Sequence, residues 1–257
     1  MTLKHDEGWN IPPDSPFYPQ LPAIYRNVKM HFVFFYTSPA AVGRFLPAPL
    51  QASEDGLCVV YGIDIPFSTA YGAVQESCLT LKCKWGTQEG YYCSHVFHNG
   101  PIGIAAGREI YGTPKVYSDV KVVQFERTIV TDAVSQGVRI LRISSTMEQS
   151  INAADAPSVL SLVPAWQLKV IPKADGPGPA IKQLIDTSRV FQDMTLHFCA
   201  RGSGRVTFEA APGYDLTALT PRKYGEAFYI ETSYSEGYAE IAYDYLKPAV
   251  SVPNSEF

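Results

Sequence analysis

Charge is scarce in this chain. Only 18% of its 257 residues are charged, and 21 Lys+Arg nearly balance 25 Asp+Glu, for a formal net charge of −4. A small negative charge with no basic block argues against a nucleic-acid partner. Long apolar runs are missing as well; none approaches the ~18 residues that a membrane span needs, so no membrane partner is expected. The opening stretch MTLKHDEGWNIPPDSPFYPQ has no apolar signal core. Secretion through a signal peptide is therefore not indicated, and a cytoplasmic location is expected. Cysteine is sparse: Cys58, Cys78, Cys83, Cys93 and Cys199 include no C-x-x-C pair, which favours reduced thiols. There is no G-x-S-x-G elbow and no Walker or Rossmann glycine pattern. The lone GSG at 202–204 reads as a turn between strands. His95 and His98 lie three apart, which on a strand puts them on opposite faces, so no metal site is expected.

What is present is apolar and aromatic. Hydrophobic residues make up 46% of the chain and aromatic ones 12%, enough for a sizeable core. HFVFFYT (31–37) reads as a buried strand. In SPAAVGRFLPAPL, Ser38 suits an N-cap, Pro39 suits the first helical position, and Pro47 ends the helix after about two turns. LCVVYGIDI, CLTLKCKWG and GYYCSHVFH are β-branched and aromatic. Alternation in CLTLKCKWG puts Cys78, Thr80, Lys82 and Lys84 on one face and Leu79, Leu81, Cys83 and Trp85 on the other. PIGIAAGREIYG predicts a short helix ending near Gly112, with Pro114 blocking its continuation. ADAPSVLSLVP predicts a second short helix. VYSDVKVVQFE, AVSQGVRILRISSTME, WQLKVIPK, GRVTFEAA and YAEIAYDYL predict further strands, with KADGPGPA as a tight turn. No repeat or interdomain linker is visible. The pattern predicts one α+β domain over 1–257, mostly antiparallel sheet curled toward a barrel. Residues 1–27 form an extended arm.

GREIYGTPKV raises the chemical question. By local pattern alone, Lys115 is a surface lysine opening a strand. Ile110, Tyr111, Pro114 and Val116 nevertheless make its surroundings apolar. An ordinary lysine titrates near ~10.4, so on the order of one molecule in a thousand is a free amine at neutral pH. Attack on a ketone calls for about 4 kcal/mol of selective destabilisation of the ammonium, which burial or a neighbouring cation supplies.

GREIYGTPKV resembles a segment of the acetoacetate decarboxylase family. SPFYPQLPAIYRN resembles that family's N-terminal arm, and YTSPAAVGRFLPAPL its first helix. GAVQESCLTLKCKWGTQEGYYCSHVFHNGPIGIAAGREI resembles its central sheet, LKVIPKADGPGPAIKQLI its late hairpin and AEIAYDYLK its final strand. The resemblance spans about residues 15 to 247. It implies a closed, cone-like β-barrel or curled sheet with a few short helices, and a homo-oligomer. It also implies cofactor-free loss of CO2 from a β-keto acid through a Schiff base. Acetoacetate decarboxylase is itself the known case of a lysine activated by desolvation or a neighbouring cation. On this resemblance Lys115 matches the Schiff-base lysine. Glu76 matches the active-site glutamate, for proton transfer or for orienting the carbinolamine. Tyr111 is expected to line the pocket and donate a proton, and Arg108 and Glu109 to pair with each other at the helix end.

Three positions depart from the family pattern. The second lysine after the catalytic one is Val116, so desolvation alone is expected to activate Lys115. The substrate-side arginine has no clean match in YRNVKMHF, which leaves Lys29 or Arg26. A glutamate expected in the strand before Glu76 is Tyr61. Lys29, Tyr61 and Tyr111 are thus the candidate substrate-binding residues. Loss of polar partners implies a larger, less polar keto acid, or an aldolase-dehydratase or cyclase of secondary metabolism using the same lysine. A non-catalytic binding barrel is the third reading, disfavoured by the presence of both Lys115 and Glu76.

Overall fold

The computed structural model describes residues 8–247; residues 1–7, the start of the arm, and 248–257 lie outside the described residues. The aromatic run sits in the first strand, β1 (Ala23–Tyr36), which begins inside the stretch read as arm. Residues 23–27, expected in the arm, therefore belong to β1. Ser38 caps α1 (Pro39–Gly43), its hydroxyl accepting from the Ala41 N–H at 3.1 Å. This helix is a single turn and stops before Pro47. Then follow β2 (Gln51–Ala52), β3 (Leu57–Ile65), β4 (Phe67–Ser68), β5 (Val74–Trp85) and β6 (Gln88–His98).

The predicted helix after Asn99-Gly100 is α2 (Pro101–Ala106), widened into a π-turn over Gly107–Tyr111. Gly112 ends it at φ 73°, in the left-handed region open to glycine. Next come β7 (Lys115–Tyr117), β8 (Asp119–Phe125), β9 (Thr128–Ser135) and β10 (Val138–Ile151). The second predicted helix is absent. Pro157 and Pro164 bracket the segment, and only two 3-10 turns form, Ala153–Asp155 and Ser158–Ser161. The chain closes with β11 (Ala165–Pro172), β12 (Pro179–Asp186), β13 (Phe191–Phe208), β14 (Lys223–Glu236) and β15 (Glu240–Asp244).

GSG is not a turn. It lies inside β13, where a Cβ on Gly202 would stand 1.9 Å from the Thr146 carbonyl oxygen. Glycine there permits the close approach of β10 beside its bulge at Met147/Gln149.

All strands join one mostly antiparallel sheet, in the order β15-β12-β11-β6-β5-β3-β1-β14-β13-β10-β9-β8. β2, β4 and β7 add to β5, β1 and β6 respectively. The path is open between β15 and β8, so the sheet is curled rather than closed. β8 and β9 fold back across β5. One face of the central strands (Val33, Val60, Leu79, Phe97) packs there against Val120, Ile129 and Ile143. Each such side chain contributes ~1.5–3 kcal/mol of burial. His31 belongs to this face. Its Nδ1 meets Ser145 Oγ at 2.8 Å and its Nε2 meets Thr131 Oγ1 at 2.5 Å. Burial lowers its pKa to about 3, so it is a neutral structural histidine. The five cysteines are free thiols.

Candidate active site

The other face of the same strands carries the candidate site. Strand register builds it in rungs. Met30, Ile63, Glu76 and His98 face one another across β1, β3, β5 and β6. The next rung is Phe32, Tyr61, Cys78 and Val96. Lys115 enters from β7, in parallel register beside Val96. These residues line a cavity of about 510 Å³.

Lys115 is placed by the π-turn before it. A Cβ on Gly107 would stand 2.9 Å from Lys115 Cδ, so this glycine makes room for the lysine stem. π-turns of this kind recur at functional sites because they redirect one side chain without ending the helix. Arg108 and Glu109 do not pair as expected. Arg108 Nη1 donates to the Lys115 carbonyl at 3.1 Å, and Glu109 accepts from the Tyr18 hydroxyl at 2.6 Å.

Lys115 Nζ stands 3.1 Å from Glu76 Oε2, with side-chain exposures of 16% and 12%. The contact is an ion pair without aligned hydrogen-bond geometry, and Oε2 is otherwise a buried oxygen with no partner. The Gly100 N–H donates to His98 Nδ1 at 2.7 Å, leaving the proton on Nε2, 3.7 Å from Glu76 Oε2. Burial lowers His98 to about 4, so its ring is neutral.

The lysine is not kept neutral by its pocket. Burial works to lower its pKa, but the carboxylates of Glu76 and then Glu236 outweigh that and hold it above the ordinary lysine value. Burial likewise works to raise Glu76, and the Lys115 ammonium overrides it and holds the carboxyl down. The resting state is an ammonium–carboxylate pair, which corrects the expectation that desolvation alone activates Lys115.

Glu236 was missed by the sequence reading. It ends β14, and its Oε2 accepts from the Tyr25 hydroxyl at 2.6 Å, with Tyr71 as a second phenol neighbour. Burial raises its pKa, and the Glu76 charge adds to the effect. The two carboxyls of the site are thus shifted in opposite directions, Glu76 down by the Lys115 ammonium and Glu236 up by burial. Alternation along β14 was the available signal, because Phe228, Ile230, Thr232, Tyr234 and Glu236 share one face.

The remaining expectations divide. Tyr61 lines the cavity one rung from Glu76, with its hydroxyl toward Thr80. Tyr111 also lines it, but its hydroxyl donates to the Gly237 carbonyl at 2.6 Å. It therefore anchors the backbone beside Glu236 rather than offering a proton. Lys29 is excluded from the site. It pairs with Asp64 and Glu231 in register and faces the same side as His31, away from the cavity. Arg26 lines a separate surface cleft with Asp193 and His197. Cys78 and Cys93 line the cavity; burial raises both thiols, Cys93 to about 12, so neither is a competing nucleophile. Among the described residues no three His, Cys, Asp or Glu side chains group as a metal site.

Val116 packs against the opposite core, in register with Phe97. Adjacent strand residues face opposite ways, so a lysine there could not reach the cavity. Val116→Lys is expected to cost ~1–2 kcal/mol of stability. The pH–rate profile would keep its shape while the melting temperature falls by several degrees. A shifted profile at unchanged stability would contradict this placement.

The family model for acetoacetate decarboxylase (ADC) matches residues 9–246. The chain belongs to the acetoacetate decarboxylase family. Acetoacetate decarboxylase 1 of Bradyrhizobium diazoefficiens is 25% identical over 241 residues, covering 93% of this chain and 94% of that protein. The crystal structure of acetoacetate decarboxylase from Legionella pneumophila superposes with a TM-score of 0.84 at 24% identity, covering 94% of this chain and 96% of that one. The enduracididine biosynthesis enzyme MppR, complexed with the condensation product of pyruvate and imidazole 4-carboxaldehyde, has a TM-score of 0.78 at 18% identity. The two superpositions show a shared fold. Within the family, this member's site combines one lysine with two carboxyls from β5 and β14.

Proposed function

We propose that the protein is a cofactor-independent lyase that decarboxylates a β-keto acid through a Schiff base on Lys115. The observation that carries this reading is the buried 3.1 Å Lys115–Glu76 pair at the cavity wall. Glu76 takes a proton from the ammonium, and the freed amine attacks the substrate ketone. Glu76 returns that proton to the departing hydroxyl of the carbinolamine, and water leaves. The resulting iminium accepts the electron pair of the breaking carbon–carbon bond. CO2 departs and an enamine remains. Protonation at carbon and hydrolysis release the ketone and restore Lys115. The family resemblance supports homo-oligomeric assembly, and the sequence reading a cytoplasmic location.

A second reading has an observation of its own. Among the described residues Lys115 is the only lysine or arginine lining the cavity, so none of them offers a substrate carboxylate a separate cation. The same enamine, formed from a pyruvate-like donor, would then attack an aldehyde in aldol-dehydration chemistry. Borohydride trapping with β-keto acids and with pyruvate, read by peptide mass spectrometry with CO2 recorded in parallel, separates the two. An adduct on Lys115 with CO2 release is expected. An adduct with pyruvate alone, and no CO2, selects the aldol reading. No adduct with any of these carbonyl compounds would overturn both.

A further inference from the structure

Resting on the Schiff-base reading, we infer that the cavity takes 3-oxo acids with a linear apolar tail, laid over Met30 and Tyr61 toward Leu160, Leu162 and Leu196. Three observations carry this.

The first is size. The cavity holds about 510 Å³. That is the range of pockets enclosing drug-sized ligands, ~300–1,000 Å³. Acetoacetate would leave most of it as water against apolar walls.

The second is continuity. Met30 and Tyr61 pack against two apolar clusters at once. One surrounds the reactive end, with Cys78, Val96 and Tyr111. The other holds Phe32, Leu162 and Ile230, with Leu160 and Leu196 packed on it. The cavity runs along both. A ligand fixed at Lys115 by its ketone has its next open space along this apolar wall.

The third is charge. Among the described residues the only lining cation is Lys115, which the Schiff base consumes, and Glu76 and Glu236 face it. An ion pair to the substrate carboxylate therefore cannot supply the binding energy. Apolar contact with the non-reacting part of the substrate has to supply it. Met30 and Met194 on the wall suit a flexible chain, because methionine adapts its shape to the occupant.

The test is kcat/KM across 3-oxo acids from acetoacetate to 3-oxodecanoate, corrected for spontaneous CO2 loss with Lys115→Met protein. Burial of each methylene predicts about a fourfold gain until the wall is filled. That amounts to roughly 250-fold between acetoacetate and 3-oxooctanoate. Leu196→Trp, and separately Leu160→Trp, should reduce that ratio at least about tenfold by shortening the wall. A flat or falling series would overturn the inference while leaving decarboxylation intact. If no member of the series loses CO2, the decarboxylase reading fails instead. The tail site then stands or falls on borohydride trapping of acetone against 2-nonanone. Half-saturation of the Lys115 adduct at much lower 2-nonanone supports the apolar wall, and equal values overturn it.

Discussion

Lys115→Met is expected to abolish every borohydride-trapped adduct and to lower kcat/KM by ~10⁴-fold or more. Methionine keeps the length and fits the apolar wall, but it offers no amine. The loss should also reach stability, in a pH-dependent way. In the wild type the Lys115 ammonium holds Glu76 low against burial. Without it, burial raises the Glu76 pKa above its unfolded value. A carboxyl raised in the folded state stabilises the fold at low pH and loses that contribution as pH rises through its folded pKa. The melting temperature of Lys115→Met should therefore drop further below wild type as pH increases from about 5 to 8. Lys115→Arg separates the two effects. It keeps a charge that does not titrate, so stability largely returns while trapping stays absent. Activity surviving in either variant would remove Lys115 from the chemistry.

How much of this was legible before the structure depends on the range of each interaction. The start of the short helix at its Ser38 cap, the helix ending at Gly112 and the two faces of β5 follow from local spacing, and each is where the pattern put it, although the first helix is one turn rather than two. Lys115 and Glu76 came from resemblance, since nothing local brings residues 39 positions apart together; strand register does that through β6. The Lys29 assignment failed on a backbone detail. Asn27 sits at φ 54° in a bulge between Tyr25 and Val28, which resets the alternation of β1 and turns Lys29 to the far face. Glu236 went unread because its strand was not singled out, and because its meaning depends on Tyr25 and Tyr71, more than a hundred residues away. The activation argument failed for the same reason. Val116 suggested a lysine activated by burial alone, while the carboxylates that oppose burial arrive from β5 and β14.

Glu76→Gln tests that opposition, and its two effects point in different directions. The amide cannot take the ammonium proton, so the maximal rate should fall by ~10²–10⁴-fold, the usual worth of a positioned base. The protonation of Lys115 should move the other way. In the wild type burial lowers the lysine pKa, and Glu76 is the first of the carboxylates that overcome it, ahead of Glu236. Removing the Glu76 charge leaves burial less opposed, so the ammonium becomes more acidic. The limb of the pH–rate profile that rises with deprotonation of Lys115 should shift to lower pH. Glu236→Gln should shift it the same way by less, because its charge contributes less to holding the ammonium. The order of the two shifts is the discriminating quantity. If Glu236→Gln moves the limb further, the proton on Lys115 is controlled from β14 rather than from the 3.1 Å pair, and the roles of the two carboxyls exchange. If neither variant moves it, the Lys115–Glu76 ion pair does not persist once substrate is bound, and the free amine arises by displacement of Glu76 rather than by transfer of a proton to it.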